Sequence, residues 1–360
     1  MPRAALTYRD PADQIGTGSF KRVFKATLRL PGSPRPTTVA ALQVRDGDVA
    51  AEVAVLLKLG NHPRLVTFIG QCRSSAADPR SDMLLIAEFA PRGDLHSVVL
   101  DMADDDLAIP FQHKQAMIQQ IAAGMEALAD QTRFHRDLAL RNVLVFELDM
   151  ADVTATSVKV SDFGLTVNSH TATHVCVQGG PLPTRYLSPE SLQRGRHSEK
   201  TDVWAFGVMC WELITDGMIS FFEISSDDAV IAHVVGGGTL ARPAAEYECP
   251  DPLWEPVASC WAKKASERPG FGQLGISLGM NLLALLGAAA MLRMPAATAV
   301  AAPTSLDNTK PSWKQSWKNI FKKKTQLRWA TEIRPGDERF HRVERLHRDG
   351  GGKAAPRRWR

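Results

Sequence analysis

His135-Arg136-Asp137-Leu138-Ala139-Leu140-Arg141-Asn142 is followed, twenty residues past the asparagine, by Asp162-Phe163-Gly164. A lone Asp-Phe-Gly arises by chance in many chains. The eight-residue loop followed by that triplet, with matching stretches on both sides, does not. Upstream, Ile15-Gly16-Thr17-Gly18-Ser19-Phe20-Lys21-Arg22-Val23-Phe24-Lys25-Ala26 predicts two strands around a glycine turn, and Thr38-Val39-Ala40-Ala41-Leu42-Gln43-Val44 predicts a third strand. Downstream come Leu182-Pro183-Thr184-Arg185-Tyr186-Leu187-Ser188-Pro189-Glu190, Lys200-Thr201-Asp202-Val203-Trp204-Ala205-Phe206-Gly207-Val208, Cys260-Trp261 and Glu267-Arg268-Pro269.

Together these stretches resemble the eukaryotic protein kinase domain, with its H-R-D-L-x-x-x-N loop, D-F-G triplet and glycine-rich G-x-G-x-x-G-x-V turn. The resemblance covers residues 8–275. It implies an α+β, bilobal fold: a small antiparallel β lobe with one helix over about 8–88, and a large, mainly helical lobe over about 94–275. ATP and Mg2+ are the implied cofactors. Phosphoryl transfer needs a carboxylate to orient the substrate hydroxyl and accept its proton, the role that falls to Asp137, and oxygen ligands for the metal, which fall to Asn142 and Asp162. Ile15, Gly16, Gly18 and Val23 are expected to cover the nucleotide. Ala41, Gln43 and Leu144 are expected beside it, and the backbone of Glu88 and Ala90 to bind adenine, with Ala87 behind. Arg268 is expected to pair with Glu190 as a structural ion pair.

Two sites are tyrosine-kinase-like. Ala139 stands where serine/threonine kinases carry lysine, with Arg141 four residues after Asp137. Pro183 occupies the place of their threonine. The implied partner is a protein substrate, tyrosine-bearing. Between Asp162 and Glu190 the only tyrosine is Tyr186, in the implied wall of the substrate site. A regulatory phosphate is therefore expected on Ser169, Thr171 or Thr173, received by Arg136.

One family residue is absent. The strand lysine that contacts the α- and β-phosphates is replaced by Gln43 or, in the alternative register, by Leu42. Glu52, on the helix predicted from the spacing of Val49, Val53, Leu56 and Leu57, matches the glutamate that pairs with it. A lysine stands instead at the third-glycine position, Lys21. The run G-x-G-S-F-K resembles that of the with-no-lysine kinases, which implies that Lys21 supplies the missing cation beside Glu52. The rival reading is a pseudokinase that binds nucleotide and signals by conformation. A serine/threonine kinase is a third.

The chain has 44% hydrophobic and 23% charged residues, as in soluble globular proteins. Its five scattered cysteines suggest neither a disulfide framework nor a zinc site, and no apolar leader follows Met1, so a cytoplasmic location is expected. The net charge of +4 hides an asymmetry: residues 310–360 carry sixteen Lys/Arg against five Asp/Glu, hence +11, leaving −7 for the rest. From Ile276 to Leu292 no residue is charged, and this run is expected to be a buried last helix with an apolar extension rather than a membrane span. Residues 276–305 thus read as extension and linker, and 306–360 as a basic tail. In the tail Trp313, Trp317 and Phe321 recur among lysines, a pattern suited to an acidic membrane surface, with a solvated tail as the alternative. No fold motif supports nucleic-acid binding. The length between Val145 and Lys159 predicts a surface hairpin, and Asp101, Asp104, Asp105 and Asp106 a solvated loop.

Overall fold

The computed structural model describes residues 1–17, 21–30, 32, 35–44, 49–75, 82–168, 175–176 and 183–279. The expectations for Gly18, Ser169, Thr171 and Thr173, for most of 276–292, and for the linker and tail lie outside the described residues.

The first lobe is a six-stranded antiparallel sheet with one helix. Its strands are β1 (Leu6–Thr7), β2 (Gln14–Thr17), β3 (Lys21–Leu28), β4 (Thr37–Val44), β5 (Phe68–Arg73) and β6 (Met83–Glu88), with α1 (Val49–Leu59) after β4. The spatial order is β1-β3-β4-β6-β5, with β2 sharing the β1 edge of β3. Strand β1 precedes the region of resemblance and completes the sheet. Alternation assigns two faces. Phe24, Ala26, Leu28, Val39, Ala41, Leu84 and Ile86 share one face, packed into a core with Leu6 of β1. On the other, Leu42 and Val44 pack against Val53 and Leu56 of α1.

The second lobe contains α2 (Leu95–Asp104), α3 (Phe111–Ala129), β7 (Arg133–Phe134), β8 (Val143–Asp149), β9 (Asp152–Val160), β10 (Val167–Asn168), β11 (Val175–Cys176), α4 (Pro189–Arg194), β12 (Arg196–His197), α5 (Glu199–Ile214), α6 (Asp227–Val235) and α7 (Asp251–Ser259). A further helix covers 271–279. This is the bilobal kinase fold.

Helix α5 organises this lobe. All fourteen residues from Thr201 to Ile214 are buried, so it has no solvent face and must lie at the centre. Gly207 permits the closest approach, because a Cβ there would fall 2.7 Å from Trp261 Nε1 and 2.8 Å from Cys260 Cβ. Along α3 the stripe of Met117, Ile121, Gly124, Met125 and Leu128, set at helical spacing, is buried. The hairpin expected after Val145 exists as β8 and β9, but it is only half a surface feature. Val145, Leu148 and Val158 are buried, and Gln120 of α3 donates to Thr156 O and accepts from Val158 N, at 2.8 and 2.9 Å. The acidic run is exposed as expected, yet Asp101 and Asp104 end α2 rather than lying in a loop.

Arg268 meets Glu190 as a fork: Nη1 to Oε1 at 2.6 Å and Nη2 to Oε2 at 3.0 Å. The same side chain donates to Ala262 O and Lys200 O, and its face lies on Trp204. A fully buried guanidinium is tolerable only when its donors are satisfied in this way.

Candidate active site

The loop 135–142 hangs from α5. The buried Asp202 carboxylate accepts the backbone N–H of His135 at 2.7 Å and of Arg136 at 2.9 Å. Those bonds hold Arg136 in the left-handed region at φ 69°, unfavourable for a non-glycine residue by about 1–3 kcal/mol. Burial pushes the Asp202 carboxyl up to about 6, against the pull of His135 and the two N–H donors. His135 bonds Ser161 O at 3.0 Å, and its ring meets Phe163 edge-on at 5.7 Å, which carries the anchoring to the Asp-Phe-Gly triplet.

Above this anchor, Asp137 is held on both sides. Arg141 donates to Oδ1, and Asn142 Nδ2 donates to Oδ2 at 2.8 Å and to the Asp137 carbonyl at 2.6 Å. With its nitrogen so engaged, Asn142 keeps its amide oxygen for another partner. The Arg141 guanidinium lies 5.7 Å over the Tyr186 ring, and the Tyr186 hydroxyl donates to Glu212 of α5. Burial first, then the Glu212 charge, raises the Tyr186 phenol well above its usual range. Its oxygen is thus committed to the hydrogen bond with Glu212. Arg136 also gives Nη1 to Leu165 O at 3.2 Å.

The cation side is assembled across the sheet. Lys21 opens β3, and its ammonium donates to Glu52 Oε1 of α1 at 2.7 Å and to Asp162 Oδ1 at 2.8 Å. Lys21 pairs with Val44, Val23 with Leu42 and Lys25 with Ala40, so these six residues share one face, the face toward α1. Gln43 pairs with Arg22 on the opposite face and donates to Asp82 Oδ2 at 2.6 Å. The placement of Gln43 beside the nucleotide is therefore corrected: Leu42 is the residue turned toward Glu52. The same alternation moves Ala41 into the outer core and puts Ala40 on the cleft side, with Ala87 across from it.

The three charges shape one another. Burial pulls the Lys21 ammonium down, but Asp162 and Glu52 outweigh it and hold it above its ordinary range. For Glu52, buried to 8% exposure, burial wins over Lys21 and raises the carboxyl. Asp162 remains 45% exposed, and Lys21 holds it below the carboxylate range despite the opposing effect of burial. Asp162 is left-handed at φ 59°. Gly164 leaves room for the ammonium, since a Cβ there would sit 3.1 Å from Lys21 Nζ.

The remaining expected residues lie on β2, β3, β6, β8 and the segment after β6. Val23 is half-buried beneath β2, Gly16 lies opposite it, and Ile15 is exposed. Leu144 on β8 is half-buried. Glu88 ends β6 and gives its N–H to Thr67 O at 3.0 Å, and the Ala90 carbonyl accepts from Gly93 at 3.3 Å. The sequence carried no sign that the Glu88 side chain would be taken by Lys159 of β9, with both oxygens 2.7 Å from Nζ. Glu212 was likewise unforeseen, though a lone acid inside an apolar helix is a signal of a buried partner.

Asp162, with one oxygen unengaged among the described residues and half open to solvent, and the Asn142 amide oxygen are hard-oxygen donors of the kind Mg2+ takes alongside phosphates and water. The residues present fit that metal.

The family described as protein tyrosine and serine/threonine kinase matches residues 11–278. Relatives include protein sevenless of Drosophila melanogaster, 33% identical over 271 residues, which covers 71% of this chain and 10% of that protein. Ephrin type-A receptor 1 of Homo sapiens is 32% identical over 268 residues, 72% of this chain and 25% of the receptor. Inactive tyrosine-protein kinase 7 of Mus musculus is 32% identical over 291 residues, 78% of this chain and 26% of that protein. The chain thus spans about a quarter or less of the length of these relatives.

Proposed function

Because this chain belongs to the protein tyrosine and serine/threonine kinase family, we propose that it transfers the γ-phosphate of ATP to a protein hydroxyl, that of tyrosine, as a signalling enzyme of the cytoplasm. The observation that carries this reading is the ammonium of Lys21 set between Glu52 and Asp162. A cation therefore stands where the triphosphate charge must be met, although the family's strand lysine is missing. Mg2+, when bound with the nucleotide, supplies charge neutralisation at the phosphates, with Asp162 and Asn142 as its protein ligands. Asp137 accepts the proton of the substrate hydroxyl. Arg141 fixes that carboxylate and lies against the Tyr186 ring, leaving the wall of the site aromatic and cationic where a phenol ring would rest. Phosphate on the segment after Asp162 is received by Arg136. The basic tail is assigned to an acidic membrane surface.

The test is Mg2+-dependent transfer of labelled phosphate from ATP to a tyrosine-containing protein substrate, with Asp137→Asn as control and phosphoamino-acid analysis of the product. Labelled phosphotyrosine that disappears in the control supports the reading, whereas phosphoserine or phosphothreonine would reassign the substrate. A second reading, a catalytically silent nucleotide-binding scaffold, is favoured by the missing strand lysine together with a relative whose own name is inactive kinase. A wild-type chain that binds ATP but transfers nothing would establish it.

A further inference from the structure

A second concavity lies in the second lobe, apart from the residues assigned to catalysis. It is a cavity of about 650 Å3 between α4, the first turn of α5, the end of α6 and the turn after α7. That volume is within the usual range of ligand pockets, roughly 300–1,000 Å3. Trp204, Trp261 and Val234 are buried and give it an apolar floor. Arg196 and Lys263 are exposed on its rim, and the half-buried Lys200 also lines it. Two carboxylates border it too, and both are engaged. Glu190 meets the fork of Arg268, and Glu199 Oε1 accepts the N–H of Phe271 at 2.9 Å, with Lys200 3.7 Å from Oε2.

The rim cations have no structural task. Lys263 lies along Gly237, where a Cβ would sit 3.7 Å from its Nζ. A lysine at a helix C-terminus is ordinarily explained by the terminal carbonyls. Here the carbonyls of Ala232, Val234 and His233 already accept from the N–H groups of Gly236, Gly237 and Gly238, at 2.9, 3.0 and 2.8 Å. Arg196, on β12, and Lys263 make no ion pair among the described residues. The chain up to residue 309 carries −7, so this cationic rim is a local reversal of sign. Spare cations around an apolar hollow suit an anion that also brings apolar bulk. A hollow of this size admits a few side chains and cannot be laid against a flat bilayer or a duplex. We propose that this cavity docks an acidic peptide segment of a partner protein. Its carboxylates face Arg196 and Lys263, and one large apolar side chain lodges over Trp204 and Trp261. Because Glu190 lines the cavity, the occupant rests against α4, which directly follows the segment holding Tyr186.

The test uses the full chain without nucleotide and the peptide acetyl-Glu-Glu-Bpa-Glu-Glu-amide, in which Bpa is p-benzoylphenylalanine. Ultraviolet light fixes that aromatic side chain to whatever it touches, and mass spectrometry of the digest finds where. Cross-links are expected on residues 189–200, 234–237 and 261–266, with a yield that saturates as peptide is added. Arg196→Glu combined with Lys263→Glu should lower the yield there about 10-fold at sub-saturating peptide, since two exposed attractions become repulsions. Arg29→Glu combined with Lys58→Glu reverses two exposed charges of the first lobe and should leave it unchanged. Should the first pair fail to fold, Arg196→Gln with Lys263→Gln is measured in its place and should lower the yield about threefold. Replacing the four glutamates of the peptide by glutamine should abolish labelling of the cavity. Cross-links confined to residues 310–360 would mean that the basic tail alone attracts the peptide, and the proposal would fall. It would fall equally if wild type were unlabelled or if both charge-reversed pairs lost the same yield. No phosphate transfer is read, so the outcome is independent of the proposed activity.

Discussion

The two sides of the cleft are built in opposite ways. On the base side, Asp137, Arg141 and Asn142 lie within six consecutive residues, bonded to one another and pinned from below by a single carboxylate on α5. On the cation side, the three charged groups are residues 21, 52 and 162, brought together by a strand, a helix and a loop. A contiguous loop on a rigid anchor tolerates no relocation, because each residue is fixed by its neighbour in sequence. A site assembled across strands requires only that a side chain reach the right face. The strand of origin can therefore change while the charge stays in place.

Breaking the base side should have the largest effect. Asp137→Asn is expected to lower turnover by ~10²–10⁴-fold, the usual share of a general base, measured with saturating ATP and Mg2+. Loss within about twofold of wild type, only ~0.4 kcal/mol of barrier, would remove Asp137 from that role. On the cation side Lys21→Gly is expected to abolish transfer too, but here the comparison can be sharpened by rescue. Because Leu42 and Lys21 share a face and Gln43 does not, Leu42→Lys added to Lys21→Gly should restore part of the activity, and Gln43→Lys should not. Rescue by position 43 alone would contradict the face assignment.

The Glu190–Arg268 pair can be broken without touching the cleft. Arg268→Ala leaves the Glu190 carboxylate without its partner and is expected to cost ~3–5 kcal/mol of unfolding free energy in urea titration. A cost below about 1 kcal/mol would class the pair with surface ion pairs.

The smallest effect is a pH dependence. His197 is buried at 1% exposure, and burial first, then Arg136, pushes its imidazole down to about 4 from 6.5, against Glu190. A folded value below the unfolded one means that the neutral ring stabilises the fold fully above pH 6.5, and that this contribution fades as pH falls toward 4. Asp202, raised to about 6, acts in the opposite sense over the same range, so wild type alone will not reveal either group. The difference between wild type and His197→Gln will. From pH 7.5 to 5.0 the variant should gain about 2 kcal/mol relative to wild type. A constant difference would mean that the ring titrates normally.

How far the sequence could be read follows the same division. The loop, the triplet and the α5 stretch are each recognisable because their spacing along the chain is their geometry, whereas the Glu190–Arg268 pair, 78 residues apart, was legible only through the family resemblance. Lys21 was visible as a lysine in an unusual place, and the structure sets that side chain beside Glu52. Which β4 residue had lost the lysine was not legible, since Leu42 and Gln43 are adjacent and only strand pairing tells the two faces apart. Half of the β8–β9 hairpin is buried because Gln120 satisfies the backbone of β9, a contact made across 36 and 38 residues of chain. The Glu88–Lys159 pair spans 71 residues and is invisible to any local pattern.

The position of Lys21 at the first residue of β3 has a mechanical consequence. There it pairs with Val44, the last residue of β4, and its side chain runs on from the end of the sheet to Glu52 of α1 and to Asp162 after β9. One ammonium thereby cross-links a strand, a helix and a loop, and ties the first lobe to the second. Any displacement of one lobe against the other at this point must first break the 2.8 Å bond between Lys21 and Asp162.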